Sequence, residues 1–115
     1  MWLRKVSRVS RPMIYAIDFD GTIVEHRYPY IGELNKEAQQ FILDLQERGD
    51  QWILYTMREG DKLMEAVEYC RERGMFPTAV NDNTEELKRE FNNNPRKIYA
   101  DYYIDDHNMG GLRWK

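Results

Sequence analysis

Apolar positions along this chain change their period several times, and each change marks an element. Met13-Ile14-Tyr15-Ala16-Ile17 is an unbroken apolar run closed by Asp18. A run without alternation suits a strand covered on both faces, as in a parallel sheet. From Gly21 to Gly32 the periodicity disappears among Thr22, His26, Tyr28, Pro29 and Tyr30, which predicts a loop or short flap. Leu34, Ala38, Phe41, Ile42 and Leu45 then fall at helical spacing, with Gln39, Gln40, Asp44 and Glu47 between them. Asn35 suits the N-cap of that helix and Gly49 its stop.

The pattern then repeats with other residues. Gln51-Trp52-Ile53-Leu54-Tyr55-Thr56 is rich in aromatic and branched residues and predicts a second strand. Asp61 to Arg73 is helical through Leu63, Met64, Val67 and Cys70 and ends before Gly74. Thr78-Ala79-Val80 reads as a short strand, and Thr84 caps a third helix through Phe91, broken by Asn92-Asn93-Asn94-Pro95. Ile98 to Asp106 is the last strand, interrupted near Ala100-Asp101. Short strands alternating with helices predict βαβ units, and the crossover rule makes the strands parallel. The expected architecture is α/β: a three-layer, Rossmann-like parallel sheet with helices on both faces, forming one domain over residues 13–115.

Composition narrows this without changing it. A length of 115 residues fits one domain, and 42% hydrophobic with 32% charged residues fits an ordinary globular protein. No apolar run approaches the roughly 20 residues that cross a bilayer, so no membrane partner is expected. Residues 1–12 form a basic arm carrying Arg4, Lys5, Arg8 and Arg11 without an acid, read as a solvated flexible tail or a polyanion contact. The arm lacks the apolar stretch of a signal peptide, which points to the cytoplasm. A net charge of −3 argues against a dedicated nucleic-acid binder and leaves nucleic acid only as a substrate. The single cysteine, Cys70, excludes an internal disulfide or thiolate metal cluster and reads as core packing.

Chemistry concentrates at strand ends. Asp18 and Asp20 lie two apart on an extended segment, so their side chains face one small volume while Phe19 turns inward. Gly21 then lets the chain leave the sheet. In open α/β sheets ligands bind at the carboxyl edge of the strands. That edge collects Asp18 with Asp20, Thr56 with Arg58, and Asp105 with Asp106. Several carboxylates and a hydroxyl suit a hard cation such as magnesium, which is held by one or two carboxylates together with substrate phosphate oxygens. A calcium-binding EF-hand loop starting at Asp18 is excluded, because its twelfth position is Pro29 where a bidentate glutamate is required. His26 and His107 are isolated and read as surface side chains.

These residues resemble the haloacid dehalogenase superfamily of aspartate-nucleophile phosphohydrolases. Ile17-Asp18-Phe19-Asp20-Gly21-Thr22 is similar to its first motif, Tyr55-Thr56 to its second, and Ile104-Asp105-Asp106 to its acidic fourth. The resemblance spans residues 13 to 106 in the same order. It implies a magnesium-dependent phosphomonoesterase with Asp18 as the nucleophile forming an aspartyl-phosphate. It also implies Asp20 as general acid and base, with a backbone carbonyl to the metal. Asp105 and Asp106 would complete the magnesium site, directly and through water respectively.

The resemblance further implies phosphate contacts from Thr56 and from the Phe19–Gly21 turn, with Arg58 beside them. A lysine that stabilises the transition state is assigned to Lys97, with Arg96, Arg58 and Lys88 as rivals. Neither residues 23–34 nor residues 57–96 leave room for a cap domain, so a capless member is expected. Its open site would admit a bulky phosphorylated substrate, small or macromolecular, or be closed by a second copy of the chain. Tyr28 and Tyr30 stand where a substrate would pass. Two further readings stay open: a phosphate- or partner-binding module with little turnover, and a phosphotransferase with an acceptor other than water.

Overall fold

The computed structural model describes residues 12–82, 84, 85, 88 and 98–105. Strand β1 (Ile14–Ile17) is its hub. Two antiparallel strands, β2 (Val24–Arg27) and β3 (Tyr30–Leu34), follow, and helix α1 (Lys36–Glu47) leads to β4 (Gln51–Leu54). Helix α2 (Gly60–Glu72) then precedes β5 (Ala79–Val80), and β6 (Tyr102–Ile104) comes last. Four strands form a parallel sheet in the order β5-β4-β1-β6. In register, Ile17 lies beside Leu54 on one side and Ile104 on the other. The three strands therefore end together, and the residue after each end opens on the same edge.

Alternation along β1 and β4 divides the core. Ile17, Trp52, Leu54 and Ile104 join Ile42 and Leu45 of α1 and Ala66 and Cys70 of α2 in one buried cluster. Ile14, Ala16, Ile53 and Ala100 form a smaller cluster on the opposite face, with Ala79 and Ile98 against it. Both described helices thus contribute to the same cluster. An α/β fold is what the residues build; the helix expected over 84–91 lies outside the described residues except for Thr84, Glu85 and Lys88.

Local chemistry explains the elements. Asn35 caps α1 as expected, its Oδ1 accepting from the backbone N–H groups of Glu37 (3.0 Å) and Ala38 (3.2 Å). Gln46, near the end of α1, accepts on Oε1 from buried Trp52 Nε1 (3.0 Å) and from the Phe76 N–H (2.7 Å). It also donates from Nε2 to the Gly74 carbonyl (2.9 Å). One side chain thereby ties a helix, a strand and the loop after α2.

Two expectations are sharpened in detail. Of the loop or short flap expected after Gly21, the structure makes a flap, the β2-β3 hairpin. Close packing of its strands needs Gly32, where a Cβ would lie 2.2 Å from the Glu25 carbonyl oxygen. The last strand is interrupted near Ala100-Asp101 as expected: β6 begins at Tyr102, and Asp101 pairs with Ile14 just before it. Oδ2 of Asp101 accepts from the Ile14 N–H and its own N–H donates to the Ile14 carbonyl, both at 2.7 Å. Among the described residues, no helix is long and apolar enough to cross a membrane. The basic arm, except Pro12, together with Arg96, Lys97, Asp106 and His107, lies outside the described residues.

Candidate active site

Asp18, Asp20, Thr56 and Arg58, contributed by the ends of adjacent strands β1 and β4, line one cavity of about 360 Å³ with His26, Tyr28 and Met57. A second, smaller cavity of about 230 Å³ is lined by Asp18, Thr56, Tyr55, Met57 and Asp105. Asp18 and Thr56 belong to both cavities, so the two form one continuous site with β6 supplying Asp105. The convergence follows from register, since Asp18 directly follows Ile17 and donates its backbone N–H to the Ile104 carbonyl (3.0 Å).

Around Asp18 the turn is tightly wound. The Asp18 carboxylate accepts from the Phe19 N–H (2.8 Å), and the Phe19 carbonyl accepts from Thr22, Ile23 and Val24. Phe19 itself is fully buried in the core. Gly21 sits at φ +88° and donates its N–H to the Val24 carbonyl (2.8 Å), a conformation that favours glycine. The amides of Phe19 and Gly21, expected to face a phosphate, thus make bonds within the turn.

Asp20 has an unexpected partner. Arg58 Nε donates to Asp20 Oδ2 and Nη2 to Oδ1, each at 2.8 Å, a two-pronged pair. Nη2 also donates to the Tyr30 carbonyl (3.0 Å) and Nη1 to the Lys62 carbonyl (3.3 Å). The Arg58 side chain is 1% exposed and that of Asp20 is 13% exposed. Hydrogen bonding to Asp20 is the main reason that the guanidinium is held above its ordinary proton affinity. Arg58 also lies over two rings, 5.1 Å from the Phe19 centroid and 5.0 Å from that of Tyr28. The Arg58 fork thus joins Asp20, the hairpin and the first turn of α2 while its side chain also lines the cavity.

Thr56 is positioned from two sides. Its backbone N–H donates to Asn81 Oδ1 (2.8 Å), and its Oγ1 accepts from the Arg58 N–H (3.1 Å). An Oγ1 that accepts there keeps its own proton for another acceptor. Asn81 sits just after β5 at φ +51° and donates its N–H to the Leu54 carbonyl (2.8 Å). Sequence reading passed over Asn81; the strand-end rule that selected Thr56 would have selected it too, had β5 been a stronger signal. Lys88, a rival for the lysine role, instead pairs with Asp82 at 2.7 Å. Cys70 is packing, as expected: burial pushes its thiol up to about 12.

The residues fit magnesium in donor chemistry. Among the described residues no three His, Cys, Asp or Glu side chains converge as a metal cage. Magnesium needs only one or two protein carboxylates, with waters and phosphate oxygens completing its shell. Asp18 and Asp105 line one cavity and supply hard oxygen donors of that kind.

No protein-family model matches the chain, and no curated protein matches it. Among solved structures, a conserved protein from Bacteroides thetaiotaomicron superposes with a TM-score of 0.77. It is 46% identical, the match covering 90% of this chain and 83% of that one.

Proposed function

We propose that this chain, which belongs to the same family as the conserved Bacteroides thetaiotaomicron protein, is a magnesium-dependent phosphomonoesterase of the haloacid dehalogenase type. The observation that carries the reading is the meeting of Asp18, Asp20 and Thr56 in one cavity, with Asp105 beside Asp18 in the adjoining one. Such a grouping of acids at a parallel-sheet edge suits phosphoryl transfer, where catalysis is mostly positioning and charge neutralisation. On this reading the sheet is the centre of a capless, three-layer, Rossmann-like domain in the cytoplasm.

Asp18 attacks phosphorus, forming a carboxylate–phosphorus bond as the bond to the leaving oxygen breaks. Asp20 supplies the proton that the leaving oxygen takes. In the second half Asp20 receives a proton from water, whose oxygen attacks phosphorus and releases inorganic phosphate and free Asp18. Thr56 Oγ1 donates to a phosphate oxygen. Asp18, Asp105, Asp106 and the Asp20 carbonyl would hold magnesium, which neutralises phosphate charge and orients the group for in-line attack. Lys97 is the proposed cation for the transition state.

Release of phosphate from a generic aryl phosphate tests this. Activity is expected to require magnesium, to vanish with a chelator, and to fall at least about a thousandfold in Asp18→Asn. Retained activity in that variant sinks the mechanism. One observation favours a second reading, a phosphate-binding module with little turnover: both oxygens of Asp20 are held by Arg58. Magnesium-dependent binding of phosphate mimics without turnover on any ester would select it.

A further inference from the structure

The larger cavity is lined by two chemical kinds of side chain. Asp18, Asp20 and Thr56 are polar, while His26, Tyr28 and Met57 offer two rings and a thioether. Met57 is 94% exposed and Tyr28 is 52% exposed, so both are open to a ligand. Tyr28 is held in place rather than loose, because its ring stacks on the buried guanidinium of Arg58. That guanidinium is itself bound to Asp20 and to the Tyr30 carbonyl. A ring fixed in this way accepts a second planar group with little further loss of conformational freedom. Methionine adapts its shape to whatever lies against it.

We infer that His26, Tyr28 and Met57 form a leaving-group subsite that takes the planar aromatic or heteroaromatic ring of a phosphate monoester. The inference rests on the phosphomonoesterase reading for the phosphate group, but the ring subsite has its own readout. The cavity volume of about 360 Å³ lies within the range of small-ligand sites. Through His26 and Tyr28 the hairpin thereby takes part in selecting the substrate.

Three esters separate the sources of such a ring: phenyl phosphate, with the ring on the ester oxygen; a nucleoside 5′-monophosphate, with the ring one sugar away; and glycerol 3-phosphate, with none. With magnesium present, kcat/KM for at least one ring-bearing ester is expected to exceed that for glycerol 3-phosphate by about tenfold or more, as stacking commonly yields. In Tyr28→Ala that advantage is expected to shrink to within about twofold, through KM. Tyr28→Phe, which keeps the ring, is expected to retain it, and Met57→Ala to reduce it in part.

Equal kcat/KM for all three esters overturns the inference. So does a uniform loss in Tyr28→Ala that leaves the ratio unchanged, since that marks Tyr28 as a support for Arg58 alone. If none of the esters releases phosphate, the phosphomonoesterase reading fails separately. Calorimetric binding of phenylphosphonate against methylphosphonate then decides the subsite, with preference for the ring supporting it and equal affinity overturning it.

Discussion

The two sides of the site are built differently. On the hairpin side, Asp20, Arg58, Tyr28 and Tyr30 are joined by a two-pronged ion pair, a carbonyl contact and ring stacking. On the sheet side, Asp18, Thr56 and Asp105 line a cavity at strand ends aligned by register, and Asn81 accepts from the Thr56 N–H. The difference teaches a division of labour. On the sheet side, parallel pairing already aligns the strand ends. A hairpin leaving the sheet has no such alignment, so a buried arginine replaces it.

The largest effect on stability is expected where this comparison is easiest to break. Arg58→Met removes the guanidinium and leaves Asp20 nearly buried without its partner, which is expected to cost about 3 kcal/mol in urea unfolding. Arg58→Lys keeps the charge but not the fork and is expected to recover only part of it. Loss below about 1 kcal/mol in Arg58→Met would mean that the hairpin side is not held by this pair.

Asn81 sharpens the sheet side. Asn81→Gly keeps the left-handed backbone but removes the acceptor for the Thr56 N–H, and is expected to lower kcat/KM on an aryl phosphate about tenfold. Asn81→Ala is expected to match that loss and to add about 1 kcal/mol of destabilisation from the φ +51° backbone. Equal activity in the glycine variant would show that register alone positions Thr56.

Outside both sides, Asn35→Ala removes the α1 cap and is expected to cost about 1 kcal/mol in thermal or urea unfolding while kcat/KM is unchanged. The smallest effect at neutral pH belongs to Cys70. Its thiol is raised from 9.0 to about 12 in the fold, so it stays protonated where the unfolded chain's thiol ionises. Its contribution is complete below pH about 9 and is lost as pH rises toward about 12. Unfolding free energy is expected to fall more steeply over that interval in the native chain than in Cys70→Ala.

Much of the framework was legible in the chain itself. Buried strands, an amphipathic helix with its cap at Asn35, and acids at strand ends are local patterns, because period and capping depend on neighbours within a turn or a pleat. The positions of Asp18, Asp20, Thr56 and Asp105 could be grouped from sequence for the same reason: parallel strands share an edge. The hairpin was harder to see. Val24 to Leu34 has no clean alternation, and its pairing rests on the close approach that Gly32 permits opposite Glu25.

What only the tertiary structure decided is the partnership between residues far apart in the chain. Arg58 reads as one more cation near a strand end, yet folding brings it 38 positions back to Asp20 and lays it over Phe19 and Tyr28. Asn81 reads as loop, yet it holds the Thr56 amide across 25 positions. Neither role leaves a periodic trace, because each depends on one side chain meeting one partner after the sheet has formed. The sequence by itself determined which edge carries the acids; packing around that edge decided which acid is clamped by Arg58.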